Sequence, residues 1–332
     1  MAKVTVLGAG AWGTAFGQVL ADAGNDVTMW AIEPEIVEAI ATQHTNPVRL
    51  PSVKKLPDNM TATGDRAEAV KGADYIVVAI AAQFARVALE PFKDLIEEST
   101  KIVSLMKGIE KTTGKRMDQV VSEALDLPAE RFLAVSGPNL SKQIAAREPA
   151  ATVVACENIE NAEAFAKVCT TEYFHAFASP DVIGLELCGS LKNVVALAVG
   201  MVHGAGFGEN TAAMVQTRGI AEIKAVGTAA GAMPETFYGL AGIGDLIATC
   251  GSPLSRNYTF GANLGKGLSV EEATKVSNGV AEGVATAGAV VALGEQYHVD
   301  TPLAKAMAHV LSDHISCEQM LSEMLPKDTL AE

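Results

Sequence analysis

The first half of the chain alternates short apolar runs with segments of helical periodicity. Several runs are almost wholly apolar, which is typical of strands buried on both faces of a parallel sheet. The pattern predicts strands over Lys3–Leu7, Asp26–Trp30, Tyr75–Ala79, Lys101–Leu105, Phe132–Val135, Ala151–Ala155 and Tyr173–Phe177. It predicts helices over Trp12–Ala23, Pro34–Thr42, Ala82–Leu89, Lys115–Ala124, Leu140–Ala146 and Glu160–Val168. This alternation indicates a doubly wound α/β domain.

After about Ser179 the pattern changes to long Ala-rich segments that are separated by Gly-rich breaks. Helices are predicted over Gly184–Val202, Asn210–Ala230, Val270–Lys275, Gly283–Gln296 and Thr301–Leu311. The breaks are Gly204–Gly208, Gly239–Gly244 and Gly261–Gly267. We therefore expect the second half of the chain to be all-helical.

Gly8, Gly10 and Gly13 form a GxGxxG that follows the first predicted strand and opens the first predicted helix. In this context the glycines allow a tight turn, close approach of a pyrophosphate and close helix–strand packing, and the helix N-terminus attracts the anion. A Gly-rich turn without a ligand is the alternative, and the strand–turn–helix context disfavours it. The predicted architecture is an N-terminal doubly wound Rossmann-type domain over residues 1–179, followed by an all-helical substrate domain over residues 180–332.

The end of the second predicted strand bears on the choice between NAD and NADP. Glu33 stands a few residues late for a contact with the cofactor ribose, and no Lys or Arg occurs between Lys3 and Arg49. A 2′-phosphate then has no cation on this turn, whereas a carboxylate suits a ribose hydroxyl. We expect NAD to be preferred over NADP.

Charge and cysteine usage exclude several classes of function. The 332 residues carry a formal net charge of −14, which argues against a general nucleic-acid partner and against an anionic membrane surface. The longest uninterrupted apolar stretches, such as Val194–Val199, are far shorter than the roughly 20 residues of a membrane span, and the N-terminus lacks a signal-peptide pattern. Five scattered cysteines without a CxxC suit reduced thiols of the cytoplasm, and no His or Cys spacing predicts a metal site.

Two segments place a lysine where packing alone does not require one. Lys107 follows a predicted strand at the edge where α/β sheets bind ligands, although a solvated loop lysine is an equal alternative. Lys192, with Asn193, interrupts an apolar helix. Burial and neighbouring cations could lower the pKa of Lys192 toward neutrality and make it a general acid and base, and snorkelling to solvent is the alternative.

A third segment lies in the Gly-rich second half. Asp245 and Thr249 follow the Gly239–Gly244 break, and Ser255, Arg256 and Asn257 come soon after. Asp245 either binds a specific partner or caps a helix. Arg256 offers a planar fork for a phosphate, with Ser255 and Asn257 as neutral donors. Together the three segments suit a small phosphorylated alcohol.

The chain resembles the soluble, bacterial NAD(P)-dependent sn-glycerol-3-phosphate dehydrogenases almost from end to end. The resemblance is carried by GAGAWGTA at the start, MKG at 106–108, SGPNLSKQIA at 136–145, LKNVVALAVGM at 191–201, GFGENTAA at 206–213, TRGIAEI at 217–223, GLAGIGDLIATC at 239–250, SRN at 255–257 and VAEG at 280–283. It implies interconversion of glycerol 3-phosphate and dihydroxyacetone phosphate, reduction toward phospholipid synthesis, and a homodimer.

The resemblance also implies a role for individual residues. Lys192 matches the catalytic proton acceptor, while the matching substrate contacts are Lys107, Gly137, Asn139, Asn193, Asp245, Thr249, Ser255, Arg256 and Asn257. The matching cofactor contacts are Ala11, Trp12, Ile32, Ser141, Val280 and Glu282, in addition to Gly8, Gly10 and Gly13. We also expect Glu33, Lys107 and Arg256 to contact the cofactor.

Two positions depart from the family pattern. Ile32 stands where relatives often have Arg or His, which agrees with the turn that lacks a cation. Asn139 replaces a common Thr or Ser, and because Asn keeps a donor and an acceptor we expect its contact to survive.

Two other functions remain alternatives. One is a two-domain dehydrogenase of a 3-hydroxy acid or its thioester, and the other is a non-enzymatic module that senses NAD(H). Lys107 and Arg256 favour a phosphorylated substrate over a thioester, and a module that only binds has no use for a buried Lys192.

Overall fold

A computed structural model describes residues 1–277 and 281–325. Its contacts divide the chain into two compact units. The first consists of Met1–Glu110 and Lys115–Glu186, and the second of Lys111–Gly114 and the chain from Leu187 onward. The division falls inside a helix, a few residues after the predicted domain boundary at 179/180.

The first unit is built on one eight-stranded sheet. Its strands are β1 (Lys3–Leu7), β2 (Asp26–Trp30), β3 (Met60–Thr63), β4 (Tyr75–Val78), β5 (Lys101–Ser104), β6 (Phe132–Ser136), β7 (Ala150–Ala155) and β8 (Phe174–Ser179). Its α-helices are α1 (Ala11–Asp22), α2 (Pro34–Gln43), α3 (Arg66–Val70), α4 (Ala85–Leu89), α5 (Met117–Leu125), α6 (Ser141–Ala145) and α7 (Ile159–Cys169). Short 3₁₀ turns cover Ala82–Phe84, Glu90–Leu95 and Ala129–Arg131. The predicted helix over Ala82–Leu89 is therefore a 3₁₀ turn that continues into α4.

The strand order is β3-β2-β1-β4-β5-β6-β7-β8. All neighbours are parallel except β6 and β7, which are antiparallel. The predicted fold class is confirmed, since this doubly wound sheet is followed by a helical unit. Strand β3 is not among the predicted strands, because its four residues, MTAT, alternate apolar and polar side chains over too short a stretch to stand out from the surrounding loop.

Aromatic rings on one face of the sheet anchor the core of the first unit. Phe16 of α1 lies 6.1 Å from Phe174 of β8 and 6.4 Å from Phe165 of α7, measured between ring centroids. Tyr75 of β4 completes the cluster at 4.9 Å from Phe165. The three phenylalanines are fully buried, and each contributes on the order of 2 kcal/mol by leaving water. This packing fixes α1, and with it the turn between β1 and α1.

The second unit is helical. Its helices are α8 (Val182–Gly204), which begins in the first unit, α9 (Glu209–Ala229), α10 (Asp245–Cys250), α11 (Arg256–Gly265), α12 (Val270–Val276), α13 (Glu282–Tyr297), α14 (Pro302–Asp313) and α15 (Cys317–Met324). A 3₁₀ turn over Pro234–Tyr238 and a π-helical turn over Leu240–Gly244 precede α10. The five helices predicted for this half are confirmed within a few residues at each end.

Helix α8 is long and apolar enough to cross a membrane by composition alone. It has 23 residues, and its most apolar 18-residue window has a mean hydropathy of 1.7. Yet 94% of that window is buried inside the protein, which is the pattern of a core helix. Among residues 1–277 and 281–325, α8 is the one helix with this property.

The predicted break over Gly261–Gly267 is wrong in its first part, because Gly261 and Gly265 lie inside α11. A Cβ on Gly261 would stand 2.0 Å from the Leu197 carbonyl oxygen of α8, and one on Gly265 would stand 2.1 Å from that of Met201. Gly200 on α8 meets α11 equally closely. These glycines therefore let two helix backbones touch. In the sequence alone, glycines at these positions resemble residues that end a helix.

Replacing Gly261 by Ala is expected to destabilise the protein by about 1–3 kcal/mol or more, because the added methyl group forces α8 and α11 apart. Gly288→Ala is the matched control, since Gly288 lies exposed within α13 with open space around it. That change should be neutral or stabilise by up to about 1 kcal/mol. Chemical denaturation of both variants measures the difference, and equal free energies of unfolding would contradict the packing role.

Candidate active site

The glycine turn between β1 and α1 has the geometry that a dinucleotide needs. Gly8 has a φ of +110°, and a Cβ there would lie 2.7 Å from the Ala79 carbonyl oxygen. A Cβ on Gly13 would lie 2.1 Å from the Gly8 oxygen, so the helix packs tightly on the turn. A Cβ on Gly10, in contrast, would meet no atom of the described residues within 4 Å beyond its own stretch of chain. The chain is thus crowded beneath the turn and open above Gly10, where a pyrophosphate would approach.

The N-terminus of α1 is also suited to an anion. Gly10 is the N-cap residue and makes no side-chain cap, and the first turn contains no acidic residue. The first-turn amides, which include those of Ala11 and half-buried Trp12, therefore keep their partial positive charge. These features fit the pyrophosphate of a dinucleotide cofactor.

The turn after β2 holds a cation that the sequence did not reveal. Arg49 donates to the Glu33 carboxylate at 3.2 Å, while Ile32 beside it is 74% exposed. The expectation that this turn lacks a nearby cation is therefore wrong, because the folded chain brings Arg49 next to Glu33. Buried Asn46 brings Arg49 there, since its amide donates to the Ala9 carbonyl of the glycine turn at 3.0 Å.

Lys107 and the segment after β6 come together in the first unit. The Lys107 ammonium group donates to the Gly137 carbonyl oxygen at 3.2 Å, so the alternative of a solvated loop lysine is set aside. Asn139 donates to Thr152 at 2.8 Å, while its buried Oδ1 finds no partner among the described residues. Ser141 is the first residue of α6. Three predicted site residues thus follow β6 at the carboxyl edge of the sheet.

In the second unit, Lys192 forms a buried ion pair. Its Nζ lies 2.5 Å from Asp245 Oδ1 and 2.6 Å from Thr249 Oγ1. The Thr249 hydroxyl donates in turn to the Asp245 carbonyl oxygen at 2.6 Å. Lys192 is 5% exposed and Asp245 2%. These two contacts fix the position of the ammonium group.

The network decides between the interpretations left open by the sequence. Lys192 does not snorkel, because its amine is buried and paired. Asp245 does not cap α10, because Gly244 is the N-cap residue and the Asp245 carboxylate accepts from Lys192. The expectation of neighbouring cations is wrong for this contact, since the charge beside Lys192 is a carboxylate, which stabilises the ammonium form. Burial raises the pKa of Cys250, at the end of α10, to about 12 and keeps it a thiol.

A second hydrogen-bonded group joins three helices of the same unit. Asn257 of α11 donates its side-chain amide to Asn193 Oδ1 of α8 at 2.9 Å. Its own Oδ1 accepts from the Gly283 backbone amide of α13, also at 2.9 Å. Because Asn193 follows Lys192 directly, this contact fixes the helix next to the ion pair.

The remaining predicted residues of this unit have distinct positions. Ser255 is the N-cap of α11, and its hydroxyl accepts from the Tyr258 amide at 3.2 Å, so this side chain caps the helix. Arg256 is exposed at the first position of α11, and the described residues offer it no hydrogen bond or ion pair. Glu282 begins α13. Val280, a predicted cofactor contact, lies outside the described residues.

Comparison with known proteins places the chain in a family. The family model for the N-terminus of NAD-dependent glycerol-3-phosphate dehydrogenase matches residues 3–162, and the model for its C-terminus matches residues 181–322. A glycerol-3-phosphate dehydrogenase [NAD(P)+] of Bifidobacterium longum subsp. infantis is 72% identical over 330 residues, which cover 99% of each chain. The enzyme of the same name from Streptomyces griseus is 44% identical over 99% of this chain and 98% of its own.

Solved structures agree with this placement. The crystal structure of glycerol-3-phosphate dehydrogenase from Coxiella burnetii matches with a TM-score of 0.90 and 31% identity, over 97% of this chain and 98% of that one. The resemblance inferred from the sequence is confirmed, and the thioester dehydrogenase and the non-enzymatic module are set aside. The chain belongs to the family of NAD-dependent glycerol-3-phosphate dehydrogenases.

Proposed function

We propose that this enzyme interconverts sn-glycerol 3-phosphate and dihydroxyacetone phosphate by hydride transfer with a nicotinamide dinucleotide. The observation that carries the proposal is the buried network of Lys192, Asp245 and Thr249 in a chain that belongs to this family. A lysine amine held in a buried polar network is equipped to exchange a proton with an alcohol or ketone oxygen. Lys192 is therefore the proposed catalytic residue.

Lys192 acts on the oxygen of the reacting carbon in both directions. When the ketone of dihydroxyacetone phosphate accepts a hydride, negative charge develops on its oxygen, and the Lys192 ammonium group stabilises that charge and then donates a proton. In the reverse direction neutral Lys192 accepts the hydroxyl proton. The bound nicotinamide supplies the redox chemistry. Asp245 and Thr249 hold the amine in place, so little reorganisation is needed at the moment of reaction.

The substrate phosphate is proposed to bind Arg256. This guanidinium group is exposed, has no partner among the described residues and stands at the positive N-terminal end of α11. A planar fork without a protein partner is suited to a phosphate dianion. Lys107, Gly137, Asn139, Asn193 and Asn257 are the further proposed substrate contacts.

NAD is proposed as the preferred cofactor, now for a different reason from the one that the sequence suggested. Arg49 stands at the turn after β2, but its guanidinium group is already paired with Glu33. The carboxylate also repels a 2′-phosphate and can accept from a ribose hydroxyl. Ala11, Trp12, Ile32, Ser141, Val280 and Glu282 remain proposed cofactor contacts with the glycine turn.

The cellular setting completes the proposal. We infer that the enzyme works as a homodimer in the cytoplasm and supplies glycerol 3-phosphate for phospholipid synthesis. The cytoplasm is supported by five scattered cysteines that are all buried and form no CxxC. The homodimer and the biosynthetic direction rest on the family resemblance alone.

A spectrophotometric assay with the purified protein, NADH and dihydroxyacetone phosphate tests the activity. We expect oxidation of NADH that depends on both the ketone and its phosphate group, so dihydroxyacetone without phosphate should react far more slowly. Absence of NADH oxidation with the folded protein would refute the proposal.

Replacing Lys192 by Ala should lower kcat by at least a hundredfold, because a positioned general acid typically contributes about 10²–10⁴-fold. Cofactor binding should persist, which titration of NADH fluorescence measures. Lys275→Ala is the control, because Lys275 is exposed and pairs with Glu271 on its own helix α12. Near-normal turnover of the Lys192 variant would remove it from the catalytic role.

Replacing Arg256 by Ala should raise the KM for dihydroxyacetone phosphate roughly 10–100-fold, the usual effect of losing a hydrogen bond to a charged group. The KM for NADH and the kcat should change much less. Arg66→Ala, an exposed arginine at the start of α3, serves as the control. An unchanged KM for the phosphorylated substrate would place its phosphate elsewhere.

Glu33→Gln should lower the preference for NADH over NADPH by about fivefold, since it frees Arg49 and removes a repulsive charge worth roughly 1 kcal/mol. Arg49→Gln should shift the preference in the opposite direction. The ratio of the two kcat/KM values, measured at low ionic strength, reports the change. The two variants must shift the preference for NADH over NADPH in opposite directions. A shift in the same direction would exclude the proposed roles of Glu33 and Arg49.

A further inference from the structure

Two chain segments meet at the carboxyl edge of the sheet in the first unit. The segment Ala82–Leu89 follows β4, and the loop Met106–Glu110 follows β5. Since β4 and β5 are parallel neighbours, both segments leave the sheet at the same edge. The loop carries Lys107, whose ammonium group contacts Gly137.

Three consecutive residues of this loop are each held by the segment after β4. Gly108 packs so closely on Ala82 that a Cβ would stand 2.7 Å from the Ala82 Cβ. The Ile109 carbonyl oxygen accepts from the Gln83 amide at 2.8 Å. Glu110 forms a two-pronged ion pair with Arg86, with distances of 3.0 Å to Nε and 2.9 Å to the terminal nitrogen.

The ion pair is the strongest of these contacts. The Glu110 side chain is 8% exposed and that of Arg86 is 33% exposed. A carboxylate this deeply buried is costly without a paired cation. Arg86 also lies 3.0 Å from Glu123 of α5, so its guanidinium group connects α4, α5 and the loop. Only a planar fork can meet both oxygens of Glu110 in this way.

The position of Lys107 depends on its backbone. Its side chain has four rotatable bonds, and its ammonium group can return to one place only if the loop beneath it is fixed. Three anchors begin at the next residue, Gly108, and end at Glu110. A loop released at Glu110 would let Lys107 sample positions that do not contact substrate, and a displacement of about 1 Å in a binding group is costly.

We propose that Arg86 is a positioning residue, which fixes Lys107 for substrate binding by holding the Lys107 loop through Glu110. The inference rests on the proposed function, in which Lys107 contacts the substrate. Arg86 itself touches neither substrate nor cofactor in this role.

A double-mutant cycle on KM tests the inference. The variants are Arg86→Gln, Lys107→Met and the double variant, assayed with NADH and dihydroxyacetone phosphate. We expect each single change to raise the KM for the ketone about tenfold. In the Lys107→Met background, Arg86→Gln should change KM less than twofold, because it has nothing left to position. A purely structural role would give the same factor in both backgrounds.

Matched variants separate this effect from loss of stability. Arg147 and Asp22 form the other two-pronged arginine–carboxylate pair of the first unit, with distances of 2.9 and 3.0 Å. Arg147→Gln should leave KM within twofold of the unchanged enzyme. Arg86→Lys keeps the charge without the fork and should recover part of the affinity. Thermal unfolding identifies any variant that does not fold, and Glu110→Gln then replaces Arg86→Gln in the cycle.

The outcomes distinguish a failure of the proposed substrate site from a failure of the proposed role of Arg86. If Lys107→Met leaves KM unchanged, the proposed substrate site is wrong and the inference fails with it. If Lys107→Met raises KM while Arg86→Gln and Glu110→Gln do not, the site stands and the inference is overturned. Equal factors for Arg86→Gln in both backgrounds would also overturn it.

Discussion

The second unit depends on one buried charge pair. Lys192 sits in an apolar helix, and burying its ammonium group without a partner would cost several kcal/mol. The Asp245 carboxylate at 2.5 Å and the Thr249 hydroxyl at 2.6 Å compensate for that cost. The pair in turn requires α8 and α10 to keep one relative position. The ion pair can therefore form only when the two helices pack correctly, and the helices can pack only when the two charges meet.

The packing around that pair leaves little freedom. Glycines at 200 and 261 bring the backbones of α8 and α11 into contact, and Asn257 ties both to the start of α13. Because the helix backbones touch at these glycines, a displacement of one helix must move its neighbour. Rigidity of this kind suits a site whose reacting amine has to be positioned before substrate arrives.

The sequence was sufficient for features that arise from local pattern. The strand at 3–7, the glycine turn and the long Ala-rich helices follow from periodicity and from adjacent residues. It was insufficient for features that depend on contacts between residues far apart in the chain. The approach of Arg49 to Glu33 depends on Asn46 folding back onto the glycine turn, and Gly261 signalled a break although its partner helix required a glycine. The carboxylate beside Lys192 comes from a residue far along the chain.

Helix α8 also has a consequence for biosynthesis. The segments that cover it in the second unit, among them α9, α11 and α13, are all translated after it. At roughly 5–20 residues per second, several seconds separate the synthesis of α8 from that of α11. During that interval the nascent chain presents an apolar helix with the composition of a membrane span and without the partners that bury it. The same helix that places the reacting lysine therefore remains an exposed apolar surface until the later helices are synthesised.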